Sequence, residues 1–131
     1  MHITKLTDYA LLILCEMKDG EIISSKSLSN QTKVPFATVN KLLRLLIKGG
    51  FCYSKGGKTG GFGLLKKHSE ISFLDVVSCI EGIEDHLTEC TTNKTGNQCQ
   101  LKGHCRISKK MGAIDNEIYS ILKKKFLSDL F

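Results

Sequence analysis

Phe36-Ala37-Thr38-Val39-Asn40-Lys41-Leu42-Leu43-Arg44-Leu45-Leu46-Ile47-Lys48, closed by Gly49-Gly50, is the stretch that decides the fold. Val39, Leu42, Leu43 and Leu46 recur at i, i+3, i+4 and i+7, which puts them on one stripe of an α-helix. At about 100° per residue, Thr38, Lys41, Arg44 and Lys48 fall on the side opposite that stripe. Such a helix buries one face and offers cations on the other. Pro35 suits the first helical position, where its missing N–H costs nothing. Gly49-Gly50 stops the helix.

The neighbouring segments give this helix its setting. Upstream, Ser24 to Gln31 reads as a short helix with Ser24 or Ser25 as N-cap. Thr32-Lys33-Val34 then turns the chain. Two helices joined by so short a turn, the second basic outside, form a helix-turn-helix. Downstream, Phe51-Cys52-Tyr53-Ser54 and Phe62-Gly63-Leu64-Leu65 read as strands around the tip Gly56-Gly57-Lys58-Thr59-Gly60-Gly61. A hairpin directly after a helix-turn-helix is a wing. Its glycines permit positive φ and close backbone approach. Gly-Gly-Lys-Thr also suggests a P-loop, but the GxxxxGK[ST] spacing is missing and a strand follows where a helix should.

Further out, Thr7 to Lys18 reads as a helix that is apolar almost all round, buried in part by a second subunit and ended by Asp19-Gly20. Ser72-Phe73-Leu74-Asp75 is a capping box, with Ile71 placed to staple Val76, and its helix runs to about Glu81 before Gly82. From about Cys105 to Phe126 a long helix returns. Ile107, Met111, Ile114, Ile118 and Ile121 alternate spacings of four and three, a coiled-coil-like seam that suits a dimer. The expected class is mainly α with a small β-hairpin. It comprises a winged helix-turn-helix over 1–82, a cysteine-bearing loop over 83–104 and a dimerisation helix with its tail over 105–131, in one structural domain.

The chain has 131 residues and a net charge of +6. Residues 1–68 hold eleven Lys/Arg against four Asp/Glu, and residues 69–131 hold eight against nine. The basic half is the half that contains the helix-turn-helix, as a polyanion partner would require. No run of about 18 apolar residues crosses a membrane, and the N-terminus lacks a signal-peptide core. A cytoplasmic location without membrane attachment is expected. The histidines His2, His68, His86 and His104 are scattered, and no Ser/His/Asp or Cys/His arrangement is legible. No enzyme is expected.

Six cysteines in a reducing compartment do not form a disulfide framework. Cys15, Cys52 and Cys79 sit inside apolar stretches and read as small core residues. Cys90, Cys99 and Cys105 sit in a polar segment with no core to fill, spaced C-x8-C-x5-C. Thiolates are soft ligands for iron–sulfur clusters, zinc or copper. Structural zinc usually takes four ligands, often in close CxxC pairs. The wide spacing leans towards a cluster, with zinc and redox thiols still open.

Taken together, these stretches resemble one family over nearly the whole chain. They are Thr4-Lys5-Leu6-Thr7-Asp8-Tyr9-Ala10, Val39-Asn40-Lys41-Leu42-Leu43-Arg44-Leu45-Leu46, the wing Gly57-Lys58-Thr59-Gly60-Gly61-Phe62, Ile80-Glu81-Gly82, Leu87-Thr88-Glu89-Cys90, then Cys99 and Cys105. The chain resembles the Rrf-type winged-helix transcriptional regulators (IscR/NsrR-like), with Leu-Thr-Glu-Cys most similar to the SUF-system iron–sulfur assembly branch. The resemblance implies a cluster on Cys90, Cys99 and Cys105, 2Fe–2S before 4Fe–4S. Asp8 matches the position from which one branch supplies a carboxylate ligand across the dimer. Another branch uses a histidine three residues after the last cysteine. That position is Ser108 here, and His104 does not match the pattern, so Asp8 stands ahead of His104.

The resemblance also implies a homodimer on a pseudo-palindromic double-stranded DNA operator. Lys41, Arg44 and Lys48 would meet phosphates or base edges, and Thr38 and Asn40 would meet bases. In the wing, Gly56 stands where the family often has Arg, leaving Lys55 and Lys58 to reach the groove or its phosphates. The implied function is repression of iron–sulfur assembly genes, with cluster state modulating operator affinity. A nitric-oxide-sensing repressor is the alternative in the same class. A zinc-stabilised or thiol-redox interaction module is the alternative from another class.

Overall fold

The computed structural model describes residues 3–82 and 103–131. Within them run α1 (Lys5–Glu16), α2 (Ser25–Thr32), α3 (Phe36–Lys48), β1 (Cys52–Lys55), β2 (Gly61–Leu64), α4 (Phe73–Glu81) and α5 (Ser108–Lys124). Short 3₁₀ turns occupy His68–Glu70 and Leu127–Leu130. The class is mainly α with one antiparallel hairpin, as expected.

α3 has the bounds its sequence predicts, and Val39, Leu42, Leu43 and Leu46 are all buried. Pro35 sits one place earlier than expected, as N-cap rather than first helical residue. The turn before it is held by side chains. Ser24 caps α2 by accepting from the Ser27 N–H at 3.1 Å. The Thr32 hydroxyl donates back to the Leu28 carbonyl and the Ser29 hydroxyl to the Val34 carbonyl, both at 2.6 Å. Lys33 then reverses the chain with φ +63°, a left-handed conformation a non-glycine residue rarely takes.

In the hairpin, Cys52 pairs with Leu64 and Lys55 with Gly61. A third strand-like residue, Ile23, bridges Phe62 through N–H···O bonds of 3.0 and 2.8 Å. Gly61 permits that approach, because a Cβ there would lie 2.5 Å from the Ile23 carbonyl oxygen. The wing base is thus tied to the entry of α2, which gives the wing and the two helices a common frame.

α1 begins and ends two residues earlier than the sequence reading placed it, because Met17 has already turned extended. The capping box of α4 forms as read: Ser72 Oγ accepts from the Asp75 N–H and the Asp75 carboxylate from the Ser72 N–H, each at 3.1 Å. Ile71 and Val76 are both fully buried. Gly82, at φ +67°, ends the helix in the left-handed cap that glycine favours.

α5 is shorter at both ends than expected. Its C-terminal end is cut at Lys124 because Lys125 leaves helical geometry to pair with the start of α4. The Phe73 N–H donates to the Lys125 carbonyl at 2.8 Å, and the Leu127 N–H to the Ile71 carbonyl at 3.0 Å. Leu127 is driven into the core as a result. α5 packs on α4 with Asp115 inward and only 1% exposed, while Ile107, Ile114, Ile118 and Ile121 stay exposed. A surface helix normally does the reverse.

Candidate functional site

Between Glu21 and Glu70 the sequence holds nine Lys/Arg residues and no acidic one. This run covers α2, α3 and the wing, and every one of the nine is exposed. A solvated surface usually mixes both signs, so the missing acids are a stronger signal than the net charge.

On α3, Lys41, Arg44 and Lys48 are exposed, whereas Thr38 and Asn40 are half-buried. Thr38 lies about a quarter-turn from the buried stripe, on the flank shared with half-buried Leu45, rather than opposite it. Ala37 takes the outward position at that level and was missed by the sequence reading. Lys55 and Lys58 are exposed along the wing, whose tip turns at Gly57 with φ +96°. Lys48 and Lys66 line one depression together with Phe51, Cys79 and the carboxylate-bearing Asp75 of α4, and the Lys66 ammonium lies 5.3 Å from the Phe51 ring centre.

The described cysteines differ in character. Cys52 is buried, and burial, with a smaller push from Cys79, raises its thiol to about 12. Burial also raises Cys15 and Cys79, both half-buried, and the Cys79 thiol donates to the Leu45 carbonyl at 3.4 Å. These three favour the neutral thiol and are poor candidates for thiolate ligands. Cys105 is half-buried two residues ahead of Ile107, the N-cap of α5, and its carbonyl accepts from the Ser108 hydroxyl at 3.1 Å. Cys90 and Cys99 lie outside the described residues, so Cys105 and the exposed Asp8 in the first turn of α1 are the ligand candidates that can be placed. Among the described residues no group of three or more His, Cys, Asp or Glu is arranged to hold a metal ion. Cys105 offers a soft sulfur donor and Asp8 a hard carboxylate oxygen.

His104 is exposed. His68, expected to be solvated, is half-buried: its Nε2 donates to the Leu14 carbonyl at 2.7 Å and its ring packs on Phe131. His2 and His86 lie outside the described residues.

A further feature joins the two regions. Glu81, the last residue of α4, accepts from the Thr4 N–H at 3.0 Å, from the Thr4 hydroxyl, and from the buried Thr7 hydroxyl at 2.6 Å, all on Oε1. The end of α4, where the chain leaves for the cysteine-bearing segment, is thereby clasped to the first turn of α1. The sequence shows the Ile-Glu-Gly helix end but not its partner, 77 residues away.

The chain matches the Rrf2 family, described as "Iron-dependent Transcriptional regulator", over residues 3–131. It belongs to that family: it is a winged-helix, DNA-binding transcriptional regulator and not an enzyme. YffB, an HTH-type transcriptional regulator of Lactococcus lactis, is 31% identical over 93% of this chain and 80% of its own length. The HTH-type transcriptional repressor NsrR of Streptomyces coelicolor is 27% identical over 99% and 88%. Among solved structures, CymR, the global cysteine regulator of B. subtilis, has the same fold with a TM-score of 0.78 at 21% identity, over 99% of this chain and 95% of its own. No helix among the described residues is long and apolar enough to cross a membrane.

Proposed function

We propose that this protein is a cytoplasmic, homodimeric repressor of iron–sulfur assembly genes whose operator affinity is set by an iron–sulfur cluster. Cys90, Cys99 and Cys105 hold the cluster, and the partner subunit's Asp8 completes it. The functional parts are the winged helix-turn-helix over 1–82, the cluster segment over 83–104 and the dimer helix over 105–131. Lys41, Arg44, Lys48, Lys55 and Lys58 neutralise phosphates or reach base edges, with Thr38 and Asn40 at the edge of the reading face.

The observation that carries this reading is the division of the cysteines. Three are held as neutral thiols by burial, while Cys105 follows a segment with two more thiols and no apolar core to fill. The family's description as iron-dependent supports it, as does the likeness to a named repressor over 99% of this chain. When bound, the cluster supplies fixed bonds between the segment and the dimer. The Glu81 clasp gives a route by which strain in that segment reaches α1, which packs on α2 and α3. A two-state shift biased in this way alters DNA affinity without touching the bases.

The test is anaerobic purification followed by visible absorption, iron and acid-labile sulfide analysis, then titration of the loaded and stripped protein onto candidate promoters. A brown protein is expected. Cys90→Ala, Cys99→Ala and Cys105→Ala each lose the colour, and Cys15→Ala, Cys52→Ala and Cys79→Ala keep it. Mixed dimers of Asp8→Ala and Cys99→Ala chains regain one site. A colourless protein with stoichiometric zinc overturns the cluster and leaves the zinc-stabilised module. A cluster that changes operator affinity only after nitric oxide is added moves the signal to that gas.

A further inference from the structure

Phe36, the first residue of α3, is 52% exposed. It belongs neither to the core nor to the half-buried hydrophobic residues packed against it. Instead it forms one wall of a depression of about 430 Å³, whose other walls are Lys26, Ser29 and Asn30 of α2. Ser29 is already committed to the Val34 carbonyl, while Lys26 and Asn30 are exposed. Nothing local favours an aromatic ring here, since Phe is a mediocre helix former and an acidic residue would suit the first turn better. Yet neither helix has an acid in its first turn, and α3 has no side-chain cap on its leading N–H groups.

An apolar ring beside an ammonium and an amide, within a stretch of sequence free of acidic residues, matches one surface well. The major groove lines phosphates along its rim and presents one apolar group on its floor, the thymine C5-methyl. In a helix-turn-helix the first helix crosses the backbone and the leading residues of the second meet base edges. This depression is where the two helices meet.

We propose that Phe36 reads sequence, packing its ring on a thymine methyl in each half-site while Lys26 and Asn30 hold the adjoining phosphate. The inference rests on the reading of α3 as the helix that enters the groove and assigns a base to it. Because Phe36 lies outside the core cluster, its replacement should leave the fold intact, which a thermal melt of the variant checks.

The experiment uses the full chain and a duplex selected from a random library by the wild type. Thymines in the half-sites are replaced one at a time by deoxyuridine, which lacks only the methyl. At one position per half-site, wild-type binding should weaken about fourfold, the worth of one buried methyl. Phe36→Ala should bind the thymine and uracil duplexes equally, and Phe36→Leu should keep part of the discrimination. Lys26→Ala should weaken both duplexes alike and flatten the salt dependence by about one unit of slope per phosphate contact. Wild-type indifference to every thymine methyl, or discrimination that persists in Phe36→Ala, overturns the assignment. Failure of the wild type to select any duplex overturns the groove reading and this assignment together, a result distinct from either.

Discussion

α3 and α5 are both amphipathic helices with an apolar stripe, and they use it in opposite ways. α3 buries Val39, Leu42, Leu43 and Leu46 in its own chain and turns Lys41, Arg44 and Lys48 outward. α5 turns Asp115 inward and leaves Ile121 59% and Ile114 49% exposed. The stripe of α3 is satisfied by one copy of the chain. That of α5 is left uncovered within one copy of the chain, and the proposed homodimer would cover it with a second copy. The apolar face of α3 is therefore closed within one chain, to which the tail contributes Leu127, whereas the isoleucine face of α5 is left open.

The largest effect is expected from breaking that dependence. Ile118→Asp with Ile121→Asp should give a monomer by sedimentation and lower affinity for a symmetric operator by about 10²–10⁴-fold, the gain normally supplied by linking two sites. Helical content should survive. Leu42→Ala, the matching change in α3, should instead cost about 2–5 kcal/mol of stability in a denaturant titration. A double aspartate variant that remains dimeric would show that α5 faces something other than its own copy.

A smaller effect should come from the clasp between the regions. Glu81→Ala removes the acceptor for the Thr4 N–H and the Thr4 and Thr7 hydroxyls and leaves the Thr7 hydroxyl buried without it. A loss of about 1–3 kcal/mol is expected. Glu81→Gln keeps a carbonyl acceptor and should recover much of it. The sharper readout is the ratio of DNA affinities with and without the proposed cluster. It should shrink towards one in Glu81→Ala, and an unchanged ratio would make the clasp structural only.

The smallest effect concerns the core thiols. Burial raises Cys52 from 9.0 to about 12 in the folded protein. Its neutral form therefore favours folding fully below pH 9, and that contribution is lost as pH rises from 9 towards 12, because the unfolded chain ionises first. The melting temperature should fall over that window, and less steeply in Cys52→Ala. At neutral pH, Cys105 in the cluster-free protein should be alkylated ahead of Cys52.

Much of this was legible in the chain itself. The stripe of α3 has a strict helical period and unambiguous stops, so its bounds agree to the residue. The capping box at Ser72 and Asp75 is a local motif that needs no tertiary partner. Thr38 was misplaced because a flank position at the edge of the polar arc is decided by what packs beside it. The C-terminal end of α5 was cut back because hydrogen bonds from Phe73 to Lys125 and from Leu127 to Ile71 compete with the helix, while Glu81 accepts from Thr4 just ahead of the earlier start of α1. His68 looked unremarkable in sequence, and only the fold brings the Leu14 carbonyl and Phe131 to it.

By itself, then, the sequence determined the helices, the hairpin and the cationic stretch, because periodicity, caps, turn residues and charge act over a few neighbours. Only the tertiary structure decided that Glu81 clasps Thr4 and Thr7, that Phe36 stands in the open beside Lys26 and Asn30, and that α5 buries an aspartate while exposing its isoleucines. Each of these depends on which surfaces meet across long stretches of chain. Neither spacing nor composition specifies that until the core has closed and left some faces uncovered.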